Sequence, residues 1–369
     1  MIKILHVVSS LNINAGMMSV IMNYYRHIDR SRIQFDFLYF EEVDQTHERE
    51  IQQLGGSVYY IKYPTFKPSD QKKLRLFFSK HKGEYTAVHC HPIWAAEVVG
   101  YEARHAGIKH IIQHSHSTKY AETKKSEIRN RLLLKFIGLV ATEYIACSPE
   151  AAYLFGKKRV VNNEVLILPN AISLESYIYN DEKRLRVRKE FHLNDSTIVV
   201  GNIGRLCKTK NQSFLLDVFK SFNALTPDSH LIIVGEGSER ELLENKIKEL
   251  GIEGIVTLTG KRRDVGDILS GIDLFLMPST FEGSPVSAIE ALTSGLSCVV
   301  SDSITKNIDM EGVKYVSLNV TPDIWAKEAL CFYLARRSVD RHNYEKVVKS
   351  GFDIGKQVLI LEDYYLSMR

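Results

Sequence analysis

Cysteine, proline and long apolar runs are scarce in this chain, and each shortage excludes a class of protein. The 369 residues include nine prolines and five widely spaced cysteines without a Cys-x-x-Cys pair, which excludes a low-complexity chain, a disulfide scaffold and a cysteine zinc site. No run reaches the roughly 18 apolar residues of a membrane span, and the start, MIKILHVVSS, lacks the apolar core of a signal peptide. A net charge of +4 indicates no nucleic-acid partner. We therefore expect a cytoplasmic protein.

Short apolar runs rich in branched residues alternate with amphipathic stretches of roughly ten to fifteen residues, a pattern typical of parallel sheets flanked by helices. It predicts an α/β fold with two Rossmann-like, doubly wound domains that face a cleft. A turn signal at Pro169 and Asn170 marks the boundary between them. The predicted strands are 2–8, 35–40, 58–61, 87–90, 110–113, 144–147 and 165–168 in the first half, and 197–203, 230–234, 255–258, 274–277 and 298–300 in the second.

The most informative segment, STFEGSPVSAIE, follows the predicted strand 274–277. Ser284 is a suitable N-cap and Pro285 a suitable first residue for a helix, so backbone N–H groups are expected to face the ligand edge of the sheet. Glu282 and Glu290 lie on either side of this anion site, where their carboxylates can accept hydrogen bonds from hydroxyls. A nucleotide sugar, with a diphosphate between two sugars, matches this layout, although a Glu-x7-Glu spacing is also common among solvated charges.

A second loop, GRLCKTKN, follows the predicted strand 197–203. Arg205 offers a planar fork of donors and Lys210 a mobile charge, which together suit a diphosphate and a departing nucleotide. The loop matches neither a Walker A motif nor Gly-x-Gly-x-x-Gly, and two basic residues in a loop can also be solvated charges. Gly235 and Gly237, after the next strand, permit a close approach of the backbone.

Two features of the first half are also expected to lie at the edge of the sheet where the strands end and ligands bind. Gly16 lies at the expected start of the first helix, where a phosphate or sugar can approach the backbone. An ordinary loop glycine would give the same sequence pattern. The pairs His89/His91 and His114/His116 each place two imidazoles on one face of a strand. The sequence reveals no third or fourth ligand, so we expect no metal site there. His114 ends a predicted strand and is expected to reach the cleft.

The stretch 119–137 is basic and amphipathic. Two interpretations remain open: a helix that rests on an anionic membrane, or a solvated helix packed on its own domain. Its charged residues are Lys119, Glu122, Lys124, Lys125, Glu127, Arg129, Arg131 and Lys135.

On these motifs the chain resembles the group 1 retaining glycosyltransferases of the GT-B fold, and most of all their bacterial capsule and exopolysaccharide members. That family carries a Gly-Gly loop, a Gly-Arg-Leu-x-x-x-Lys loop and a Glu-x7-Glu element. The corresponding segments here are Ala15–Gly16, Gly204–Lys210 and Glu282–Glu290, with a Pro-Asn-x-Ile hinge at Pro169–Ile172. The resemblance covers nearly the whole chain.

The resemblance implies which residues hold the diphosphate of the donor. Arg205 and Lys210 would bind it through charge, and the backbone of Gly283 and Ser284 would hold phosphate oxygens. Gly16 would close on the phosphate from the other domain. No divalent metal and no other cofactor is implied.

The resemblance also implies roles around the sugars and the base. Glu282 would bind hydroxyls of the transferred sugar, and Glu290 would bind the ribose. His114 would be the cleft histidine beside the transferred sugar. The segment near Arg262 would frame the base.

Family organisation predicts a discontinuous first domain, because the last helix, about 355–367, crosses back onto it. Residues 1–169 and 352–369 would form the acceptor-side domain, and 170–351 the donor-binding domain. Two positions depart from the family pattern: Ala15 replaces the first glycine of the pair, and Met18 stands where a glutamate is common.

The expected activity is transfer of a sugar from a nucleoside diphosphate, UDP in our prediction, to a glycan or lipid-linked glycan with retention of configuration. Surface polysaccharide synthesis is the expected setting, with the enzyme at most peripheral to the inner face of the membrane. Two alternatives stay open: a nucleotide-sugar 2-epimerase, and a catalytically silent partner subunit that binds sugar nucleotides.

Overall fold

The computed structural model describes residues 1–118, 120, 124–342 and 344–368. The chain divides into two compact units, Met1–Ile172 with Asp353–Arg369, and Ser173–Phe352. The sequence-based boundaries, after 169 and before 352, lie beside these limits. In the part of the chain that is described, no helix combines the length and the apolar character that crossing a bilayer requires.

The first unit is built on a seven-stranded parallel sheet with the order β3-β2-β1-β4-β5-β6-β7. Apolar strands suit this position because helices cover both faces of such a sheet. The strands are β1 Ile2–Ser10, β2 Ile33–Glu41, β3 Val58–Tyr60, β4 Ala87–Cys90, β5 His110–Ser115, β6 Glu143–Ala146 and β7 Val165–Ile167.

Helices of the first unit bury two apolar clusters, one on each face of its sheet. The last helix packs against the first one, and the Ile354 N–H donates to the Ile172 carbonyl at 3.0 Å, so the C-terminal segment completes this unit. The helices are α1 Gly16–His27, α2 Glu48–Gln53, α3 Pro68–Lys80, α4 Ala95–His105, α5 Lys124–Phe136, α6 Pro149–Ala152, α7 Lys157–Val161 and α15 Ile354–Leu366.

The second unit contains a six-stranded parallel sheet with the order β10-β9-β8-β11-β12-β13. Its strands are β8 Ile198–Ile203, β9 Ser229–Val234, β10 Val256–Gly260, β11 Leu274–Met277, β12 Ser297–Ser301 and β13 Val313–Val316. Its helices are α8 Asp181–Glu190, α9 Gln212–Leu225, α10 Arg240–Leu250, α11 Val265–Gly271, α12 Val286–Thr293, α13 Pro322–Arg336 and α14 Glu345–Lys349. The predicted α/β class with two Rossmann-like domains is confirmed.

The structure corrects two local predictions. Strand β13 was not predicted, because this sheet-edge strand is short and only partly buried, so its sequence is not a continuous apolar run. The helix predicted to start with Ser284 as N-cap begins instead at Val286. Pro285 occupies the cap position with φ −82° and ψ 70°, and no side chain caps the helix.

Candidate donor-binding site

The candidate residues of the second unit follow the two strands at which its strand order reverses. Strands β8 and β11 are neighbours, with Val200 opposite Leu274, although about seventy residues separate them along the chain. In doubly wound sheets the crevice beyond this reversal is where ligands bind. The loop after β8 carries Arg205 and Lys210, and the loop after β11 carries Glu282.

Lys210 and Glu282 form an ion pair between these two loops, with 2.5 Å between Nζ and Oε1. Both side chains are largely buried, at 23% and 12% exposed. The loops are also joined through their backbones, since the Thr280 N–H donates to the Thr209 carbonyl at 2.8 Å. A cation for a phosphate and an acceptor for a hydroxyl are therefore held side by side.

The Arg205 side chain is exposed and makes no ion pair with any residue that the structure describes. Its backbone is fixed, because the Gln212 side chain donates to the Arg205 carbonyl at 3.1 Å. Such an unpaired guanidinium is available to an anionic ligand.

Two glycines after β9 allow the arginine loop to pass close to the neighbouring chain. A Cβ atom on Gly235 would lie 1.9 Å from the Gly204 carbonyl oxygen, and one on Gly237 would lie 2.1 Å from that of Leu206. Gly235 also has φ +150°. The close backbone approach expected at these positions is present, and it serves to position the loop.

Gly283 and Ser284 lie between the paired Glu282 and helix α12. Their backbone N–H groups have no acceptor among the described residues, and the buried Ser284 Oγ has no hydrogen-bond partner there either. Because the N-terminal end of a helix favours anions, these N–H groups are available to donate to an anionic ligand.

Glu290 lies one helical turn into α12. Burial raises the pKa of its carboxyl to about 7, although a hydrogen bond with Tyr177 and the charge of Lys210 act in the opposite direction. The carboxyl therefore changes charge near neutral pH. Tyr177 was not singled out from sequence, since no motif marks a contact across more than a hundred residues.

Arg262 follows β10 and is engaged within the protein. Its guanidinium pairs with both Asp264 and Glu190 and lies 5.9 Å from the centre of the Phe191 ring. These carboxylates hold the pKa of Arg262 above its usual range. The contacts anchor the loop to helix α8, and a role of Arg262 beside a base stays a prediction.

In the first unit, Gly16 is the first residue of α1, and a Cβ atom there would meet nothing within 4 Å. The space beside this helix start is therefore open. Met18 is fully buried in the apolar cluster beneath α1, so a glutamate at this position would lose its hydration.

His114 lies on β5 and is buried, and its Nδ1 is 3.1 Å from His89 Nε2. The structure gathers both His-x-His pairs around it and adds His6 from β1, which sequence reasoning missed. The only sequence signal for His6 was a histidine on a predicted strand. The strand order was needed to show that this strand lies beside β4.

Comparison with known proteins agrees with this architecture. The model of the family "Glycosyl transferases group 1" matches residues 183–312. Over 98% of this chain and 96% of the other, the sequence is 29% identical to the putative glycosyltransferase EpsF of Bacillus subtilis. It is 28% identical, over 81% and 80% of the two chains, to the UDP-Gal:alpha-D-GlcNAc-diphosphoundecaprenol alpha-1,3-galactosyltransferase of Escherichia coli. Anabaena HepE in complex with UDP and glucose superposes with a TM-score of 0.79 at 18% identity, over the full length of both chains.

Two Rossmann-like units, each built on a parallel sheet, together with the superposition on HepE, define the fold as GT-B. The family match over residues 183–312 and the relatives that cover most of the chain show a glycosyltransferase that is similar to those of group 1.

Proposed function

We propose that this enzyme transfers a sugar from a UDP-linked donor to a hydroxyl of a glycan or lipid-linked glycan, with retention of configuration, in the synthesis of a surface polysaccharide. The observation that carries the proposal is the Lys210–Glu282 ion pair beside the unpaired Arg205. The names of the relatives support a UDP-sugar donor and a lipid-linked acceptor, since one of them is a UDP-galactose-dependent transferase acting on a diphosphoundecaprenol.

The proposed chemistry uses each of these groups. The bond between the anomeric carbon and the diphosphate breaks, while the acceptor oxygen bonds to the same face of that carbon. The acceptor proton passes to the departing phosphate oxygen. Arg205, Lys210 and the N–H groups of Gly283 and Ser284 stabilise the negative charge that develops on the diphosphate, so we propose that no divalent ion is needed there.

Binding of the nucleotide tests the proposal most directly. UDP at about 100 times its Kd stabilises the folded state by about 2.7 kcal/mol, which corresponds to a rise in Tm of roughly 5 to 10 °C for a unit of this size. We expect this rise with UDP in the presence of EDTA, and a smaller rise with GDP or ADP. The anomeric configuration of the transfer product, read by NMR, tests retention.

Three other results of this experiment would contradict parts of the proposal. A rise that appears only after Mg²⁺ or Mn²⁺ is added contradicts the metal-free diphosphate site. A larger rise with GDP or ADP contradicts a UDP donor. If none of the nucleotides raises the Tm, the donor site itself is rejected.

We also propose that α5 makes a peripheral contact with the cytoplasmic face of the membrane. Three apolar side chains of this helix are 54–63% exposed and recur every four residues: Ile128, Leu132 and Phe136. This spacing places them on one face of a helix, whereas Leu134 packs into the core. Exposed basic residues lie beside this apolar stripe. Lys119 and Glu122, part of the stretch predicted from sequence, lie outside the described residues.

Reversing three of these charges should weaken binding to anionic vesicles. Each basic residue near such a surface contributes about 1 kcal/mol, so we expect a combined Lys124→Glu, Lys125→Glu and Arg129→Glu variant to lose at least about 100-fold in affinity. Co-sedimentation with phosphatidylglycerol vesicles, compared with phosphatidylcholine vesicles, measures this affinity.

The matched control reverses three exposed lysines on α3 of the same unit: Lys72, Lys73 and Lys80. It carries the same change of net charge on another surface. Equal losses in both variants would show only an effect of net charge, and the contact through α5 would be rejected.

A further inference from the structure

Five histidines meet at the strand reversal of the first sheet, where β1 and β4 are neighbours. His6 lies opposite His89 in the register of these strands. His91 follows the end of β4, and His114 and His116 lie at the end of β5, the next strand. All five imidazoles line one small pocket.

We propose that His91, His114 and His116 bind a divalent first-row transition ion, with Zn²⁺ as the expected ion. One ring nitrogen from each of these residues lies within 4.8 Å of the others. Imidazole is a preferred ligand of such ions, and sites with three histidines leave a fourth position for water or a substrate oxygen.

One distance and one buried nitrogen without a partner assign the ligand atoms. His91 Nδ1 and His116 Nε2 are 2.8 Å apart, and two ligands of a tetrahedral zinc ion are about 3.3 Å apart for bonds of 2.0–2.1 Å. Small ring rotations therefore admit the ion. His114 supplies Nε2, which is buried and has no hydrogen-bond partner among the described residues.

Each remaining nitrogen of His91 and His114 faces a hydrogen-bond partner, as a metal-ligating histidine requires. With Nδ1 on the metal, His91 donates from Nε2 to His6 Nδ1 at 2.8 Å. With Nε2 on the metal, His114 donates from Nδ1 to His89 Nε2 at 3.1 Å. His89 then donates from its Nδ1 to the Tyr365 hydroxyl at 2.6 Å. A single set of neutral tautomers satisfies every one of these contacts.

The third ligand has a partner of the same kind. The Asn170 side chain interacts with His116. His116 Nδ1 and Asn170 Oδ1 are both buried, and neither has another partner in the described part of the chain. Metal ligation through Nε2 leaves a proton on Nδ1, which the Asn170 oxygen can accept.

A second set of three, His6 with His89 and His91, has a similar spacing but is fully buried. His116 is partly exposed, so the set that contains it is the one nearer to solvent. Neither set contains a carboxylate, unlike the oxygen-rich sites that hold Mg²⁺. The inference goes beyond the proposed function and does not depend on the donor loops of the second unit.

The test uses the full chain, purified without a histidine tag, stripped with a chelator and dialysed. We expect one equivalent of Zn²⁺ per chain by elemental analysis, and visible absorption bands of tetrahedral Co²⁺ when cobalt is added instead. His91→Asn should abolish both. Tyr365→Phe, which removes only the hydroxyl behind His89, should weaken Zn²⁺ binding by less than the about 10- to 100-fold that loss of a direct partner of a ligand costs.

His105→Asn is the control, because this histidine lies on α4 outside the cluster; it should bind the metal as the unchanged chain does. Circular dichroism of the metal-free variants checks folding, and His116→Gln replaces His91→Asn if the latter does not fold. Absence of stoichiometric binding overturns the proposal, as does binding that survives substitution of a ligand histidine in a folded variant. In either case the five rings would form only a hydrogen-bonded core.

Discussion

Replacing Lys210 by alanine should lower the turnover of sugar transfer by about 100- to 1,000-fold, the range seen when one group that stabilises transition-state charge is removed. The variant loses a cation beside the leaving diphosphate. It also leaves the Glu282 carboxylate, now 2.5 Å from the lysine nitrogen, without its counter-charge, where it would repel phosphate. Single-turnover and steady-state rates with the UDP-sugar measure the effect.

Glu282→Ala should also lower turnover strongly, because it removes the proposed acceptor for the hydroxyls of the transferred sugar. It leaves Lys210 free, however, so UDP should bind at least as well as in the unchanged enzyme. The two variants thus differ in nucleotide binding although both are slow. Circular dichroism should show that both variants fold, because neither side chain belongs to the apolar cluster of the second unit.

Lys208→Ala is the matched control for charge, because Lys208 lies in the same loop and is exposed. Its turnover should stay within a few-fold of the unchanged enzyme. If Lys210→Ala or Glu282→Ala keeps the unchanged rate, the role assigned to that residue is wrong.

Gly237→Ala should abolish the rise in Tm with UDP and destabilise the second unit by about 1–3 kcal/mol, the usual cost of overpacking. The added Cβ would lie 2.1 Å from the Leu206 carbonyl oxygen, which is backbone and cannot rotate away. That carbonyl accepts from the Glu239 N–H, and the Leu206 N–H donates to the Glu236 carbonyl. Relief of the clash must therefore displace the loop that carries Arg205. Calorimetry with and without UDP measures both effects.

Gly254→Ala is the steric control, because nothing lies within 4 Å of a Cβ at that position in the same unit. It should bind UDP normally. Gly237 has no positive φ, so its replacement tests the close approach alone, without the backbone strain that Gly235 would add. A Gly237→Ala variant with the stability and UDP response of the unchanged protein would contradict the role of this glycine in positioning the loop.

Local signals predicted some features closely and missed others for physical reasons. Strands β4 and β11 have the predicted bounds. The start of α12 was misjudged because Pro285 has ψ 70°, outside the helical range, which composition does not reveal. Likewise, nothing in the sequence indicates that Arg262 has an ion-pair partner, whereas the fold pairs it with Glu190 from α8.

The sequence by itself determined that the chain forms parallel sheets and which loops carry chemistry, because strands buried on both faces must be apolar and their following loops hold the glycines, cations and carboxylates. Only the tertiary structure decided which loops meet. The strand order brings Lys210 to Glu282 and His6 to His91, pairs that are far apart along the chain. Strand order depends on the packing of the whole sheet, which no local stretch of residues encodes.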